Sequence, residues 1–337
     1  MSTIKNKLPI VNEAGLYEIR VESIGGLGAN LAGKLLAEAG VLGMGLNGVN
    51  FASYGSEKKG TPVKAFVKFS EPDLEIRSNG PVEEPHLLVV FHERLITSTP
   101  LTQGVKESTT VIVNTGKSPD TMREMLKLYG GTVACIDALK ISIEERVKIN
   151  TPMLGAIVKA SNFIDKDALK GAITDTFKKK YPNIIDANLK AFERGYNELT
   201  MKTFKPDGLY EYVPFRKEVS LLGYKNAPIG GVILNPGNSI NKDLSASRTG
   251  YMPLFIQEKC TNCGECEITC PDYCFVWEKG VDKHGRQKQI LLGIDYQFCK
   301  GCMKCVQICK FDALHKELES EYNVEKLTIK HTEFVLK

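Results

Sequence analysis

The stretch CTNCGECEITCP, residues 260–271, decides the fold of the C-terminal part of the chain. Its cysteines have the spacing C-x2-C-x2-C-x3-C, and the stretch CKGCMKCVQICK, residues 299–310, repeats that spacing. Three cysteines at intervals of three wrap a tight loop around one corner of a cube, so their thiolates are placed to hold three irons of an iron–sulfur cluster. The fourth thiolate of each cluster must come from elsewhere in the chain.

Two-cluster ferredoxins, which this double run resembles, take the fourth thiolate of each cluster from the other run. The expected ligands of the first [4Fe-4S] cluster are Cys260, Cys263, Cys266 and Cys309. The expected ligands of the second [4Fe-4S] cluster are Cys299, Cys302, Cys305 and Cys270. Because each cluster then joins both runs, we expect one small α+β domain that is ferredoxin-like.

Two other uses of cysteine fit this pattern less well. Zinc ribbons need two pairs at C-x2-C spacing, and two identical quartets exceed that need. Disulfides are not expected because the N-terminal residues lack the apolar core of a signal peptide, and a reducing cytosol keeps thiols free. Lys310 stands where such a run usually carries proline, but this departure removes no ligand. Outside the quartets, Cys135 and Cys274 are predicted to be buried free thiols that pack as small apolar residues.

Composition narrows the class of protein. The chain has 337 residues of which 42% are apolar, enough for two domains with packed cores. Its formal net charge is +4, and neither part of the chain has the charge asymmetry of a nucleic-acid-binding protein. No uninterrupted apolar run reaches about eighteen residues, so no transmembrane helix is predicted. We expect a soluble, cytoplasmic protein, in an anaerobic setting because oxygen damages low-potential clusters.

The N-terminal part begins with a strand, a glycine turn and a helix. Residues 16–24, LYEIRVESI, alternate apolar and polar side chains as a half-buried strand does, and a helix-period pattern follows the turn. The glycines of the turn are Gly25, Gly26 and Gly28.

Two nucleotide motifs fail at this turn. A dinucleotide fingerprint needs a carboxylate about twenty residues on, and the region of Val49 and Asn50 offers none. A Walker A loop needs Ser or Thr after Lys34, where this chain has Leu35. Two interpretations stay open: the glycines merely allow a tight turn, or the helix N-terminus binds an anion.

Further strands and helices follow at regular intervals. Short apolar runs at 63–69, 87–91, 111–113 and 132–136, with helical segments between them, predict an α/β domain with a largely parallel sheet covered on both faces. Three helices are predicted after Thr151. The next residues lose periodicity and gather proline and glycine, which predicts an extended arm. The predicted domains are 1–202, the linker arm 203–250, and 251–337.

Together with the double cysteine run, two segments carry a family resemblance. IGGLGAN, residues 24–30, and YGSEKKGTPVKAFVKFS, residues 54–70, resemble the gamma domain of the 2-oxoacid:ferredoxin oxidoreductases. SRTGYMP, residues 247–253, resembles the lead-in to the delta ferredoxin domain. The resemblance covers nearly all of the chain and implies a fused gamma–delta subunit of the pyruvate synthase or oxalate oxidoreductase type. Ser23, where the family often has glycine, is a departure.

The resemblance implies that this chain is not catalytic alone. Thiamine diphosphate and Mg²⁺ are expected in alpha and beta partner chains, and this sequence has no GDG motif followed by paired asparagines. The expected assembly is a dimer of heterotrimers that passes electrons one at a time to an external ferredoxin. Coenzyme A is the expected acyl acceptor in most members, so Gly25, Gly26 and Gly28 are candidate contacts for coenzyme A or another anion.

Two alternatives stay open at this stage. The substrate is expected to be pyruvate with coenzyme A, with oxalate, which needs no coenzyme A, as the alternative within the family. From another class, the double cysteine run alone also fits an iron–sulfur wiring subunit of an unrelated redox complex, such as a hydrogenase or a formate dehydrogenase. The first 200 residues or so, which a simple electron carrier does not need, favour the oxidoreductase.

Overall fold

A computed structural model of the chain describes residues 8–55, 60–216, 228–230, 243–281 and 285–331. The chain divides into two compact units, Met1–Lys217 and Glu218–Lys337. About half of the predicted arm, residues 217–227 and 231–242, lies outside the described residues. The domain boundaries at 202 and 250 stay predictions. Within the described ranges, no helix is both long and apolar enough to cross a membrane.

The first unit alternates strands and helices. Its strands are β1 (Tyr17–Ile24), β2 (Asn47–Tyr54), β3 (Pro62–Ser70), β4 (Leu87–Val90), β5 (Thr110–Asn114), β6 (Gly131–Ile136) and β7 (Thr200–Phe204). Its α-helices are α1 (Ala29–Glu38), α2 (Leu95–Ser98), α3 (Pro119–Leu126), α4 (Ala138–Glu144), α5 (Asn150–Ser161), α6 (Lys166–Phe177) and α7 (Ile185–Asn197). The three helices predicted after Thr151 are α5, α6 and α7.

These strands form one seven-stranded sheet in the order β2-β3-β1-β4-β5-β6-β7. The pairings of β1 with β4, of β4 with β5 and of β5 with β6 are parallel. The pairings of β3 with β1 and β2, and of β7 with β6, are antiparallel. The predicted α/β fold with a largely parallel sheet is therefore confirmed, with the antiparallel strands at its two sides.

Strand β1 departs from the half-buried strand that its alternating pattern predicted, because all of its residues are buried. The polar face is covered by a loop, and Arg20 donates hydrogen bonds to the carbonyl oxygens of Val82 at 3.3 Å and Leu101 at 2.8 Å. Glu18 on the same face pairs with the Lys68 ammonium at 3.0 Å. Buried charges persist only when they are paired and hydrogen-bonded, and these partners meet that need.

Helices α5 and α7 touch backbone to backbone. An ideal Cβ added to Gly155 would lie 2.0 Å from the carbonyl oxygen of Phe192, and one added to Gly195 would lie 1.9 Å from that of Pro152. Only glycine permits such an approach, because a side chain at either position would collide with the backbone of the other helix.

The second unit is smaller and mixes short helices with paired strands. Its strands are β8 (Tyr251–Phe255), β9 (Phe275–Val281), β10 (Gln287–Ile294) and β11 (Leu314–Leu318), and its α-helices are α8 (Glu265–Thr269), α9 (Lys304–Ile308) and α10 (Val324–Leu327). Strand β8 pairs antiparallel with β11, and β9 with β10. The small α+β domain is confirmed. Strands β9 and β10 follow each other in the chain and form a hairpin, and residues 282–284 between them lie outside the described residues.

Candidate metal centres

The two cysteine runs fold alike. Each ends in a one-turn helix, α8 or α9, and each carries left-handed backbone, with φ between 54° and 81°, at the same three positions. The matched pairs are Asn262 and Gly301, Gly264 and Met303, and Tyr273 and Asp312. A side chain with positive φ costs free energy. Its recurrence at equivalent positions indicates that the loop geometry requires it.

The cysteines of each predicted quartet line a cavity of their own, of about 20 Å³. The first cavity is lined by Cys260, Cys263, Cys266 and Cys309. The second is lined by Cys299, Cys302, Cys305 and Cys270. In both cavities three cysteines come from one run and the fourth from the other.

The surroundings of these cavities are largely apolar. Phe255, Trp277 and Leu291 line the first cavity, and Phe275 and Ile294 line the second. One cysteine of each quartet is exposed, Cys263 in the first and Cys302 in the second, and these two occupy equivalent positions in the repeat. Each cavity therefore has a shielded interior and one edge near solvent.

Four cysteines around a cavity are the ligand arrangement of a multi-iron cluster. Among the described residues, no three His, Cys, Asp or Glu side chains are placed to hold one metal ion together. A [4Fe-4S] cluster is held by four cysteines, one to each iron, so its ligands surround a cavity instead of meeting at a point. The cysteine cavities fit that cofactor.

Backbone amides point at the cysteine sulfurs. In the first cavity, the Asn262 amide donates to Cys260 Sγ and the Ala313 amide to Cys309 Sγ, both at 3.4 Å. In the second, the equivalent amides of Gly301 and Cys274 donate to Cys299 and Cys270. Such donors stabilise thiolates and are one means by which proteins tune clusters.

Burial works against free thiolates. It raises the pKa of the Cys266 thiol to about 12, and that of Cys305 is also raised, first by burial and then by neighbouring cysteines. A bound metal deprotonates its cysteine ligands, so cluster binding would release these protons.

Cys274 lies inside the second cavity, which its prediction as a plain apolar thiol did not foresee. The residue is buried, as expected, but its Sγ lies 3.6 Å from the Cys270 Sγ. Contact with the neighbouring Cys270 and Cys299 raises the pKa of Cys274, and a hydrogen bond from Cys274 lowers the pKa of Cys270 to about 6. The sequence carried one clue, because Cys274 follows the last cysteine of the first run by four residues, and the residue at that distance after the second run is Ala313 and not cysteine.

The other free cysteine behaves as predicted. Cys135 is buried in β6, where burial raises the pKa of its thiol to about 12. The sequence pattern did not point to Arg248, which is buried behind the second cavity. Its guanidinium donates to the carbonyl oxygens of Tyr296 and Cys299, both at 2.9 Å, and pairs with Glu319 at 2.6 Å.

The glycine turn of the first unit connects β1 to α1. Gly26 and Gly28 have φ of 110° and 88°, and Gly28 precedes the first residue of α1 without a capping side chain. The Gly25 amide donates to the Thr61 carbonyl at 2.9 Å, and its carbonyl accepts from the Gly60 amide at 3.2 Å. The turn therefore holds the end of the Tyr54–Gly60 loop, of which residues 56–59 lie outside the described residues.

Two neighbours of the turn have structural roles. Ser23 is fully buried within β1 and donates its hydroxyl to the Ile24 carbonyl at 3.2 Å, so the departure from glycine falls in the strand and not in the turn. Lys34 is exposed and pairs with Glu38 at 3.4 Å, one helical turn along α1. This agrees with the failure of the Walker A motif.

Comparison with known families decides the class of protein. Residues 18–198 match the family described as pyruvate ferredoxin/flavodoxin oxidoreductase, and residues 259–313 match the 4Fe-4S dicluster domain. The chain belongs to the pyruvate ferredoxin/flavodoxin oxidoreductase family. This membership of the first unit decides against an iron–sulfur wiring subunit of an unrelated complex.

Two subunits of one relative of the pyruvate ferredoxin/flavodoxin oxidoreductase family match this single chain. Pyruvate synthase subunit PorC of Thermotoga maritima is 36% identical over 186 residues, which are 54% of this chain and 94% of PorC. Subunit PorD of the same organism is 34% identical over 108 residues, which are 32% of this chain and 99% of PorD. The prediction of a fused gamma–delta subunit of an oxidoreductase is confirmed.

Other members of the family differ in their named substrates. The gamma subunit of NADH-dependent phenylglyoxylate dehydrogenase from Aromatoleum evansii is 31% identical over 188 residues, which are 55% of this chain and 95% of that subunit.

The crystal structure of the Thermotoga maritima PORC subunit has a TM-score of 0.49 at 32% identity, and the match covers 56% of this chain and 98% of that one.

Proposed function

We propose that this chain is the electron-transfer and scaffold subunit of a thiamine diphosphate-dependent 2-oxoacid:ferredoxin oxidoreductase. It passes electrons from the coenzyme A-dependent oxidative decarboxylation of pyruvate to an external ferredoxin. The observation that carries this proposal is the pair of crossed cysteine cavities in a chain whose first unit belongs to that family. Thiamine diphosphate and Mg²⁺ belong to alpha and beta partner chains, and the assembly is a dimer of heterotrimers in the cytoplasm.

The second unit provides the path for electrons. Its two cysteine quartets hold two [4Fe-4S] clusters, which supply one-electron carriers when bound. The chain's own residues exclude water from the cavity interiors and direct amide hydrogen bonds at the sulfurs. Cys263 and Cys302 lie where each cavity meets solvent, so electrons have a short way in and out.

The first unit provides the scaffold and a place for coenzyme A. The backbone groups of Gly25 already bond to the neighbouring loop, so Gly26 and Gly28 at the start of α1 are the better candidates for a contact with the phosphates of coenzyme A.

Pyruvate is preferred over oxalate because the gamma and delta relatives of Thermotoga maritima are both named as pyruvate synthase subunits. The gamma relative from Aromatoleum evansii acts in a phenylglyoxylate dehydrogenase by its name, so the catalytic partner chains must decide the substrate.

The test is turnover of the natively purified complex. The rate at which the complex reduces ferredoxin or a viologen dye is measured with three substrate mixtures. These are pyruvate plus coenzyme A, oxalate alone, and phenylglyoxylate plus coenzyme A. Dye reduction that requires both pyruvate and coenzyme A supports the proposal, whereas turnover with oxalate alone places the enzyme in the other branch.

Two further measurements test the role of this chain within the complex. Iron analysis should give about eight iron atoms for this chain beyond those of its partners. A Cys302→Ser variant should keep its partner chains but lose electron transfer to ferredoxin. A purified complex without thiamine diphosphate in any partner chain would overturn the proposal.

A further inference from the structure

The internal repeat makes the two cysteine cavities a matched pair. Their quartets, cavity volumes and left-handed positions correspond, and so do the amides that donate to the two ligands Cys260 and Cys309 and to their counterparts Cys299 and Cys270. Residues that differ at equivalent positions of the two linings can therefore be compared as if one cavity were a variant of the other. This comparison rests on the proposed function, in which both cavities hold clusters.

The nearest difference to the ligands is a thiol. Cys274 lines the second cavity and contacts both Cys270 and Cys299. When those two are thiolate ligands they have no proton to give, so the single S–H of the Cys274 thiol is the donor, and it serves one of the two sulfurs at a time. In the first cavity the equivalent residue is Ala313, whose methyl group cannot donate.

Charges differ in the same sense. Lys304 lines the second cavity, and the residue at its equivalent position in the first cavity is Glu265. Lys300 also lines the second cavity, but it pairs at 2.7 Å with Asp272, which lines that cavity too, so the pair adds no net charge relative to the neutral counterparts Thr261 and Phe311. Both Lys304 and Glu265 are exposed, so solvent weakens their effect and the buried thiol is the stronger of the two differences.

We propose that the second cavity holds its cluster at the higher reduction potential, and that the Cys274 thiol is the main cause. A reduced cluster carries one more negative charge, so hydrogen bonds to its ligand sulfurs and nearby cations stabilise it and raise the potential. One electron then passes from the reduced first cluster to the oxidised second cluster. The first is oxidised and the second reduced by that electron, and no proton or further reactant takes part.

The experiment is a redox titration of the native complex, followed by electron paramagnetic resonance. The Cys302→Ser variant identifies which midpoint belongs to the second cavity. In the wild type, the second midpoint should be the higher. Cys274→Ala should lower that midpoint so that the electron's preference for the second cluster falls about tenfold, which is about 59 mV for a one-electron couple. Cys274→Ser, which keeps a donor, should lower it less.

The reciprocal variant tests the same cause without removing any group. Ala313→Cys should raise the first midpoint, and it remains decisive even if Cys274→Ala fails to keep its cluster. Equal midpoints in the wild type, or unchanged midpoints in both Cys274→Ala and Ala313→Cys, would overturn the inference while leaving two intact clusters. A wild-type complex in which this chain holds no clusters would instead refute the proposed function.

Discussion

Replacing Gly195 with alanine should loosen the first unit, because this glycine lies where α7 meets the backbone of α5. The added Cβ would lie 1.9 Å from the Pro152 carbonyl oxygen, and an ordinary contact begins at 3.4 Å, so the helices must separate by about 1.5 Å. Helix α5 is buried along most of its length and has no solvent side to move towards.

The magnitude follows from two opposing effects. Alanine favours a helix over glycine by about 1 kcal/mol. Overpacking a filled interior costs about 1–3 kcal/mol, and a collision with backbone lies at the upper end of that range or beyond it. The net change should therefore be a loss of about 1–2 kcal/mol. For a unit of this size that lowers Tm by roughly 2–8 °C.

A matched variant separates packing from helix propensity. Gly171 lies within α6, is exposed, and has nothing within 4 Å of the position of an added Cβ. Gly171→Ala should therefore stabilise the chain by up to about 1 kcal/mol. Thermal unfolding of the full chain, followed by circular dichroism, compares the two variants. A rise in Tm for Gly195→Ala similar to that for Gly171→Ala would refute the close backbone contact.

Three other outcomes are expected. Cys270→Ala should remove the second cluster and spare the first in electron paramagnetic resonance spectra, and loss of the first alone would contradict the crossed ligands. Arg123→Met should speed limited proteolysis near Asp207 because it breaks two hydrogen bonds of 2.7 and 2.8 Å, and an unchanged rate would show that they do not hold this segment. Burial lowers the pKa of His86 from its ordinary 6.5, so the unfolded chain takes up this proton first and the unfolding free energy falls as pH drops below about 6.5. His86→Gln should weaken that dependence in urea unfolding at pH 7 and pH 5.5, and an equal loss in both proteins would rule out His86 as the cause.

The cysteine cavities could be predicted from the sequence because their ligands are local. Three of every four ligands lie within seven residues, so the spacing alone determines how the loop must turn. The glycine turn and the apolar central strands were predictable for the same reason, since a turn or a buried strand leaves its mark in neighbouring residues.

Features that depend on distant parts of the chain could not be predicted in this way. The charged face of β1 has the pattern of a solvated strand, yet residues about sixty to eighty positions later cover Arg20 and supply its carbonyl partners. The contacts of Cys274 could not be predicted either, because the sequence around a free cysteine near a quartet does not show whether its thiol faces the core or a ligand. Both cases needed the tertiary structure.

The crossed quartets have a consequence for how the protein matures. The first proposed site needs Cys260 from the first run together with Cys309 from the second, and the second proposed site needs Cys270 together with Cys305. Neither site is therefore complete until synthesis has passed through the second cysteine run, and both then become complete within four residues of each other. A chain truncated between the runs holds three of the four ligands of the first site and one of the four ligands of the second. Iron loading must accordingly be a joint event that waits for the second run, and a machinery that delivers clusters has to meet a chain in which both runs have been made.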